Sequence, residues 1–226
     1  MKILAISSAE KECSMALLDN NSPVCEELWA TKQTHSKRIM DMVARVMDQS
    51  GFQLDEIDRF IAAQGPGSFT GLRIGISTVK GLAYATGKPC SGVSSLDGIA
   101  WQFSYSSVPV CVMMDAQRGE VYHAVYQFKN GKLLDKSEEK AEMPVKALAS
   151  IKGDALFAGS GTVAYREVIK SELGEAALFV PLFQNTIKAS ALAQAFFQDS
   201  SAVKQDNVLN PVYLRKSDAE VNKIRH

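Results

Sequence analysis

Histidine is scarce in this chain: three in 226 residues, at His35, His123 and His226. None has a second histidine or a cysteine at ligand spacing, so no metal centre is expected. His123 stands alone in the alternating stretch EVYHAVYQF and reads as a structural residue, while His35 reads as a capping or surface residue at a helix start. Cysteine is scarce too. Cys13, Cys25, Cys90 and Cys111 form no C-x-x-C pair, and each falls in a stretch that reads as a buried strand or strand end. Reduced core thiols in a reducing compartment are expected, rather than disulfides or metal ligands. Excess charge is absent, because 25 Lys and Arg balance 25 Asp and Glu. That balance argues against a protein held on nucleic acid by bulk charge. No apolar run approaches the ~18–20 residues of a membrane helix, and Ile3–Ile6 is too short for a signal-peptide core before Glu10 and Lys11. A cytoplasmic, soluble protein without a membrane partner is expected.

What is present is an ordinary globular composition, 46% hydrophobic and 22% charged, in a chain long enough for one large domain or two compact lobes. The first half reads as strands at 3–7, 14–19 and 24–30, a helix at 35–49 capped by Thr34 or Ser36, a strand at 60–63, a helix at 71–85, a strand at 90–93 and a helix at 96–103. The second half reads as strands at 110–115, 121–128 and 132–136, a short helix at 145–151, a strand at 155–158, a helix at 163–173, a strand at 178–180 and a helix at 189–197. The order β-β-β-α-β-α-β-α thus occurs twice. It matches the duplicated ribonuclease-H-like architecture of actin, sugar kinases and heat-shock ATPases, in which nucleotide phosphates lie between the lobes. The predicted fold is therefore α/β, with two tandem ribonuclease-H-like lobes at 1–104 and 105–226. The polar stretch KSDAEVNKIRH at 216–226 is expected to be loosely held.

The densest local signal is GPGSFTGLRIGIS at 65–77. It is not a Walker A loop, because five residues on from Gly65 or Gly67 stand Thr70 and Leu72, with no lysine following. It is not a dinucleotide fingerprint, because Gly71 falls one residue late. It is not a nucleophile elbow, because Ser68 is flanked at two residues by Pro66 and Thr70. What the stretch supplies is geometry. Gly71, Gly75 and Thr78 share one face of the helix that follows, and small residues at that spacing admit a close neighbour, either another helix or the protein's own sheet. Asp115 ends the first strand of the second half, where nucleotide-cleft folds often carry a carboxylate. The equivalent place in the first half holds Ser7-Ser8.

HSKRIMDMV, GPGSFTGLRIGISTVKGLA, GVSSLDGIA, DAQRGEVYHAVY and PVYLR together resemble the bacterial TsaB (YeaZ) family over nearly the whole chain. The resemblance implies a non-catalytic role in forming N6-threonylcarbamoyladenosine at position 37 of tRNA. It implies TsaD as the catalytic partner, TsaE as a further ATP-hydrolysing partner, and a homodimer when TsaD is absent. TsaD relatives carry V-N-H-x-x-x-H with two metal-binding histidines, whereas this chain reads Val93-Ser94-Ser95-Leu96-Asp97-Gly98-Ile99. Ser95 and Ile99 stand at the ligand positions. The usual Asp-Thr-Ser after the first strand is replaced by Ser7-Ser8-Ala9.

The resemblance implies a partner face on the first two helices, fitted here by a methionine-rich stripe and small residues: His35, Ile39, Met40, Met42, Val43 and Met47 on one, Gly71, Leu72, Gly75 and Thr78 on the other. Gly75→Arg is then expected to abolish partner binding while leaving the monomer folded. The candidate cleft set is Ser7, Asp115, Arg118 and Glu120. No cofactor is expected for the subunit alone, ATP or ADP is expected only in the complex, and tRNA contact is expected only through the complex. The competing reading is an independent ATP-binding enzyme using Asp115 and the cleft, with an M22-type peptidase third for want of ligands.

Overall fold

The computed structural model describes residues 1–30, 35–198 and 209–215. The first lobe runs β1 (Lys2–Ser7), β2 (Glu12–Asp19), β3 (Ser22–Ala30), α1 (His35–Ser50), β4 (Arg59–Gly65), α2 (Phe69–Thr86), β5 (Cys90–Ser94) and α3 (Asp97–Ala100). The second runs β6 (Val110–Asp115), β7 (Val121–Lys129), β8 (Lys132–Lys136), β9 (Lys140–Glu142), α4 (Pro144–Leu148), β10 (Ala155–Ala158), α5 (Ser160–Ala164), α6 (Arg166–Leu173), β11 (Ala177–Phe179) and α7 (Ala189–Gln198). The first sheet has the order β3-β2-β1-β4-β5. The second has β11-β10-β6-β7-β8, with β9 added to β7. Both orders are the same path: two antiparallel hairpin steps from the central strand on one side, and parallel crossovers on the other. The fold is thus α/β with two ribonuclease-H-like sheets.

The local chemistry explains the elements. β1 is buried from Ile3 to Ser7 because it is flanked by β2 and β4 and covered on both faces. β3, at the edge, alternates between exposed and half-buried instead. Asn20 and Asn21 take positive φ at the β2–β3 turn, as do Asn130 and Gly131 at the β7–β8 turn. This is the two-residue hairpin geometry that matches strand twist. Ser68 caps α2 by accepting from the Gly71 N–H at 3.2 Å, and Gly87 ends the helix in the left-handed region.

Two expectations change. The helix expected at 163–173 is two, with a break at Tyr165. The boundary after 104 does not partition the packing, because α7 lies on β1, β2, β4 and β5 of the first sheet. The α7 N-terminus is held there by first-lobe side chains: Ser14 Oγ accepts from Ala189 N–H at 2.8 Å, and Glu26 accepts from Ser190 N–H at 3.0 Å. Arg59, buried on β4, donates to Ser91 Oγ at 2.7 Å and stacks over Phe196 of α7. Leu209 is buried, and Val212 N–H donates to Gln64 O at 2.7 Å, so the chain returns to the first lobe after α7. One apolar core accordingly runs from β1 and β2 through α7 to β6 and β7. A smaller core of Cys111, Met113, Phe157, Leu148 and Ile169 fills the outer face of the second sheet.

None of the four cysteines, all among the described residues, is in a disulfide. Cys13, Cys90 and Cys111 are buried as expected; Cys25, on edge strand β3, is half-buried instead. Burial pushes the Cys13 thiol up to about 11 and the Cys111 thiol up to about 12. The expected polar tail at 216–226, the Thr34 cap and the His35 side chain lie outside the described residues.

Candidate functional site

The glycine-rich loop is bound to the β1–β2 hairpin. Ser68 N–H donates to Ala9 O at 2.7 Å, and Ser8 Oγ donates to Gly71 O at 2.8 Å. A Cβ at position 71 would strike the Ser8 carbonyl oxygen, and one at 75 would strike Ser8 Oγ. Gly71 and Gly75 therefore make room for the protein's own hairpin, which corrects their placement on a partner-facing surface. The same correction holds for Leu72, Ile39, Met42 and Val43, each 5% exposed or less and packed in the first-lobe core. The physical reason is amphipathicity. The apolar stripe of each helix meets the sheet, so the methionine at 42 faces inward while Met40, two residues away, is 53% exposed.

Of the expected face, Met40 remains exposed, with Met47 and Thr78 half-buried. Thr78 Oγ1 is turned back onto Ile74 O at 2.9 Å. The solvent side of α2 carries Thr70, Arg73, Ser77, Lys80 and Tyr84, the last 92% exposed. No carboxylate occurs between Phe69 and Thr86. At its start Phe69 stacks on Tyr213 with centroids 4.9 Å apart, Arg73 lies over Phe69 at 3.8 Å, and Arg73 Nε donates to Tyr213 OH at 3.2 Å. Arg73, Lys80 and Tyr84, exposed on this side, were not among the expected face residues. Their signal was present as a three-and-four spacing opposite Leu72, Ile76, Val79 and Ala83.

Between the lobes lies a cleft of about 810 Å³. Of the four expected cleft residues only Asp115 lines it. Ser7 is buried at the end of β1, and its hydroxyl has no hydrogen-bond partner among the described residues. Glu120 is turned to Arg215, 3.1 Å away, and Arg118 sits exposed at positive φ on the turn between β6 and β7. The structure adds Glu10, Glu12, Tyr122, Ser160 and Asn185, which are too far apart in sequence to be grouped beforehand. Ser160 Oγ donates to the Glu10 carboxylate and accepts from Asp115 N–H at 3.0 Å, joining the lobes. Burial pushes the Glu10 carboxyl up to about 7; Ser160 opposes that shift, while Glu12 and Asp115 add to it. Asp115 is fixed in turn by Gln117 N–H at 2.9 Å and Gln117 Nε2 at 2.8 Å. Among the described residues Glu10, Glu12 and Asp115 line the cleft with one cation, Lys11, so a phosphate without a bound cation is repelled here.

The segment 93–99 is interior. Ser95 is fully buried with its hydroxyl unpartnered among the described residues, and Ile99 is fully buried in the shared core. Asp97 instead accepts from Tyr126 OH at 2.8 Å and pairs with Lys136 at 2.7 Å, and Lys136 also reaches Glu139 at 2.8 Å. Burial pulls Lys136 down, but these two carboxylates outweigh it and leave the ammonium raised. His123 is buried with Nε2 at 2.7 Å from Glu142. Among the described residues no cluster of three or more His, Cys, Asp or Glu could hold a metal ion. No helix among them is long and apolar enough to cross a membrane.

A family model described as TsaD, tRNA N6-adenosine threonylcarbamoyltransferase, matches residues 29–223. The tRNA threonylcarbamoyladenosine biosynthesis protein TsaB of Bacillus subtilis is 31% identical over 223 residues, covering 97% of this chain and 96% of that protein. TsaB of Escherichia coli is also 31% identical, over 229 residues, with the same coverage. The solved structure of YeaZ from Pseudomonas aeruginosa superposes with a TM-score of 0.79 at 28% identity, over 94% of this chain and 99% of that one. The ethanolamine utilization protein EutJ from Carboxydothermus hydrogenoformans shares the fold, with a TM-score of 0.50 at 10% identity over 86% of this chain and 90% of that one.

Proposed function

Since the chain belongs to the TsaB family, within the broader family named for TsaD, we propose that it serves N6-threonylcarbamoyladenosine formation on tRNA as a non-catalytic subunit that binds and activates TsaD. The observation that carries this reading is the interior of segment 93–99. Where TsaD relatives place two metal-binding histidines, this chain has a buried serine and a core isoleucine. A metal site there would need imidazoles that the core has replaced, so the chemistry falls to the partner.

The contact surface in this reading is the exposed side of α1 and α2. Met40 offers an adaptable apolar contact, Tyr84 a large rigid one, and Arg73 and Lys80 give the α2 side a positive sign. The same face can pair with a second copy of the chain when TsaD is absent, and the two modes then compete. TsaE joins as a further partner, ATP or ADP enters only at the level of the complex, and tRNA is reached through the complex. Action on tRNA places the subunit in the cytoplasm. An independent ATP-binding enzyme is the weaker reading, because of the four residues expected to build its cleft only Asp115 lines it.

Met40→Arg tests the face. Met40 is exposed, so the monomer should keep its stability within about 0.5 kcal/mol. Loss of a central contact should weaken binding to TsaD on the order of 2 kcal/mol, about thirtyfold. Gel filtration of the mixture should show separate peaks; unchanged co-elution would remove α1 from the interface.

A further inference from the structure

The mouth of the inter-lobe cleft is a second surface with chemistry opposite to that of α2. On the second-lobe side Val163 and Leu182 line it at 46% and 71% exposed, with Phe183 alongside at 72%. Large apolar side chains so exposed and adjacent mark contact surfaces. Next to them stand the carboxylates of Glu10, Glu12 and Asp115. Two of the three are held in place, Glu10 by Ser160 and Asp115 by Gln117. An apolar ridge beside a fixed acidic hollow is complementary in sign and in hydrophobicity to a cationic, apolar-flanked segment, and it repels nucleic-acid phosphate.

We propose that this mouth docks a basic amphipathic segment of a partner protein. One guanidinium or ammonium enters among Glu10, Glu12 and Asp115, and the apolar residues beside it cover Leu182 and Phe183. Charge-assisted hydrogen bonds in a partly desolvated hollow are stronger than neutral ones, which places the specificity at the carboxylates and the contact area on the ridge. None of Met40, Arg73, Lys80 and Tyr84 lines this mouth, so different substitutions probe the two surfaces.

Docking is also linked to protons. The groups around Glu10 are Lys11 and Glu12 on its own hairpin, Asp115 at the end of β6, and Ser160 at the start of α5; Tyr122 on β7 lines the same hollow. With the carboxyl held at about 7 by burial, an entering cation favours its ionised form. Binding therefore releases a proton near neutrality and strengthens as pH rises from about 6 to 8.

The test titrates the full-length chain with a fluorescent Leu/Arg amphipathic peptide and with its Leu/Glu counterpart. Only the Leu/Arg peptide should bind, with affinity that falls as salt is added. Binding should weaken at least tenfold in the double variant Glu12→Gln/Asp115→Asn, and equally in Leu182→Ser/Phe183→Ser. Both variants should still co-elute with TsaD, which separates failure here from failure of the α1–α2 reading. Equal binding of the two peptides, binding of neither, or unchanged affinity in the two double variants would overturn the proposal. So would competition by a short single-stranded RNA. Tighter binding after deletion of residues 216–226, reversed by the free peptide KSDAEVNKIRH, would make the occupant this chain's own terminus and would also overturn it.

Discussion

Gly71→Ala is expected to destabilise the isolated chain by about 2–3 kcal/mol, the range in which overpacking a close backbone approach falls. The new methyl group would collide with the Ser8 carbonyl, a backbone atom held between β1 and the hairpin loop, and neither side can move without breaking the Ser8–Gly71 hydrogen bond. The gain of about 1 kcal/mol in helix propensity does not offset this. Gly75→Ala behaves differently. Its methyl group meets only Ser8 Oγ, with the Ser8 Cβ 3.7 Å away, so a rotation of that side chain relieves the clash at the loss of one hydrogen bond. A cost of about 1 kcal/mol follows. Urea unfolding checks both: in a Ser8→Ala background, which already lacks that hydrogen bond and the clashing oxygen, Gly75→Ala should add no further cost, while Gly71→Ala should still destabilise. The Gly75→Arg substitution expected from the sequence to spare the fold should instead unfold it, so it cannot serve as an interface probe.

Glu10→Gln is expected to stabilise the protein at alkaline pH. Burial raises the folded-state carboxyl from its ordinary 4.5 to about 7, so the folded chain binds the extra proton between those values. Stability from this group is then greatest below about pH 4.5, declines as pH rises through 7, and is lost above it. Glutamine removes that decline. At pH 8 the variant should be more stable on the order of 2–3 kcal/mol, a rise in Tm of about 4–10 °C, and near pH 4.5 the two proteins should converge. Differential scanning calorimetry from pH 4.5 to 8.5 reads the difference directly. A constant difference across that range would remove Glu10 from the titration.

The repeated strand and helix order was legible because each element carries its own period. β6, β8 and β10 occupy the residues that alternation and turn chemistry indicated, and the crossover order follows from that pattern. The α7 docking was not legible, because its partners Ser14, Glu26 and Arg59 lie more than 130 residues away in sequence. The cleft was legible at Asp115 alone, since Glu10 and Ser160 become neighbours only when the lobes close on each other. The partner-face residues illustrate a different limit. Spacing placed Gly71 and Gly75 on one helical side, but a stripe of small residues records only that something comes close. Here it is the Ser8 loop of the same chain. The face implied by the resemblance put Met40 and Met42 in one methionine-rich stripe, although two residues along a helix stand about 160° apart around the axis.

The most direct measurement is formation of N6-threonylcarbamoyladenosine on unmodified tRNA, with purified subunits added and omitted one at a time. This chain alone should give no modified nucleoside, TsaD with TsaE but without it should give little, and adding it back should restore the reaction. Met40→Arg should fail to restore it, while Ser95→Ala, which touches only the vacated ligand position, should restore it fully. Threonylcarbamoyl transfer by this chain in the absence of TsaD would contradict the account.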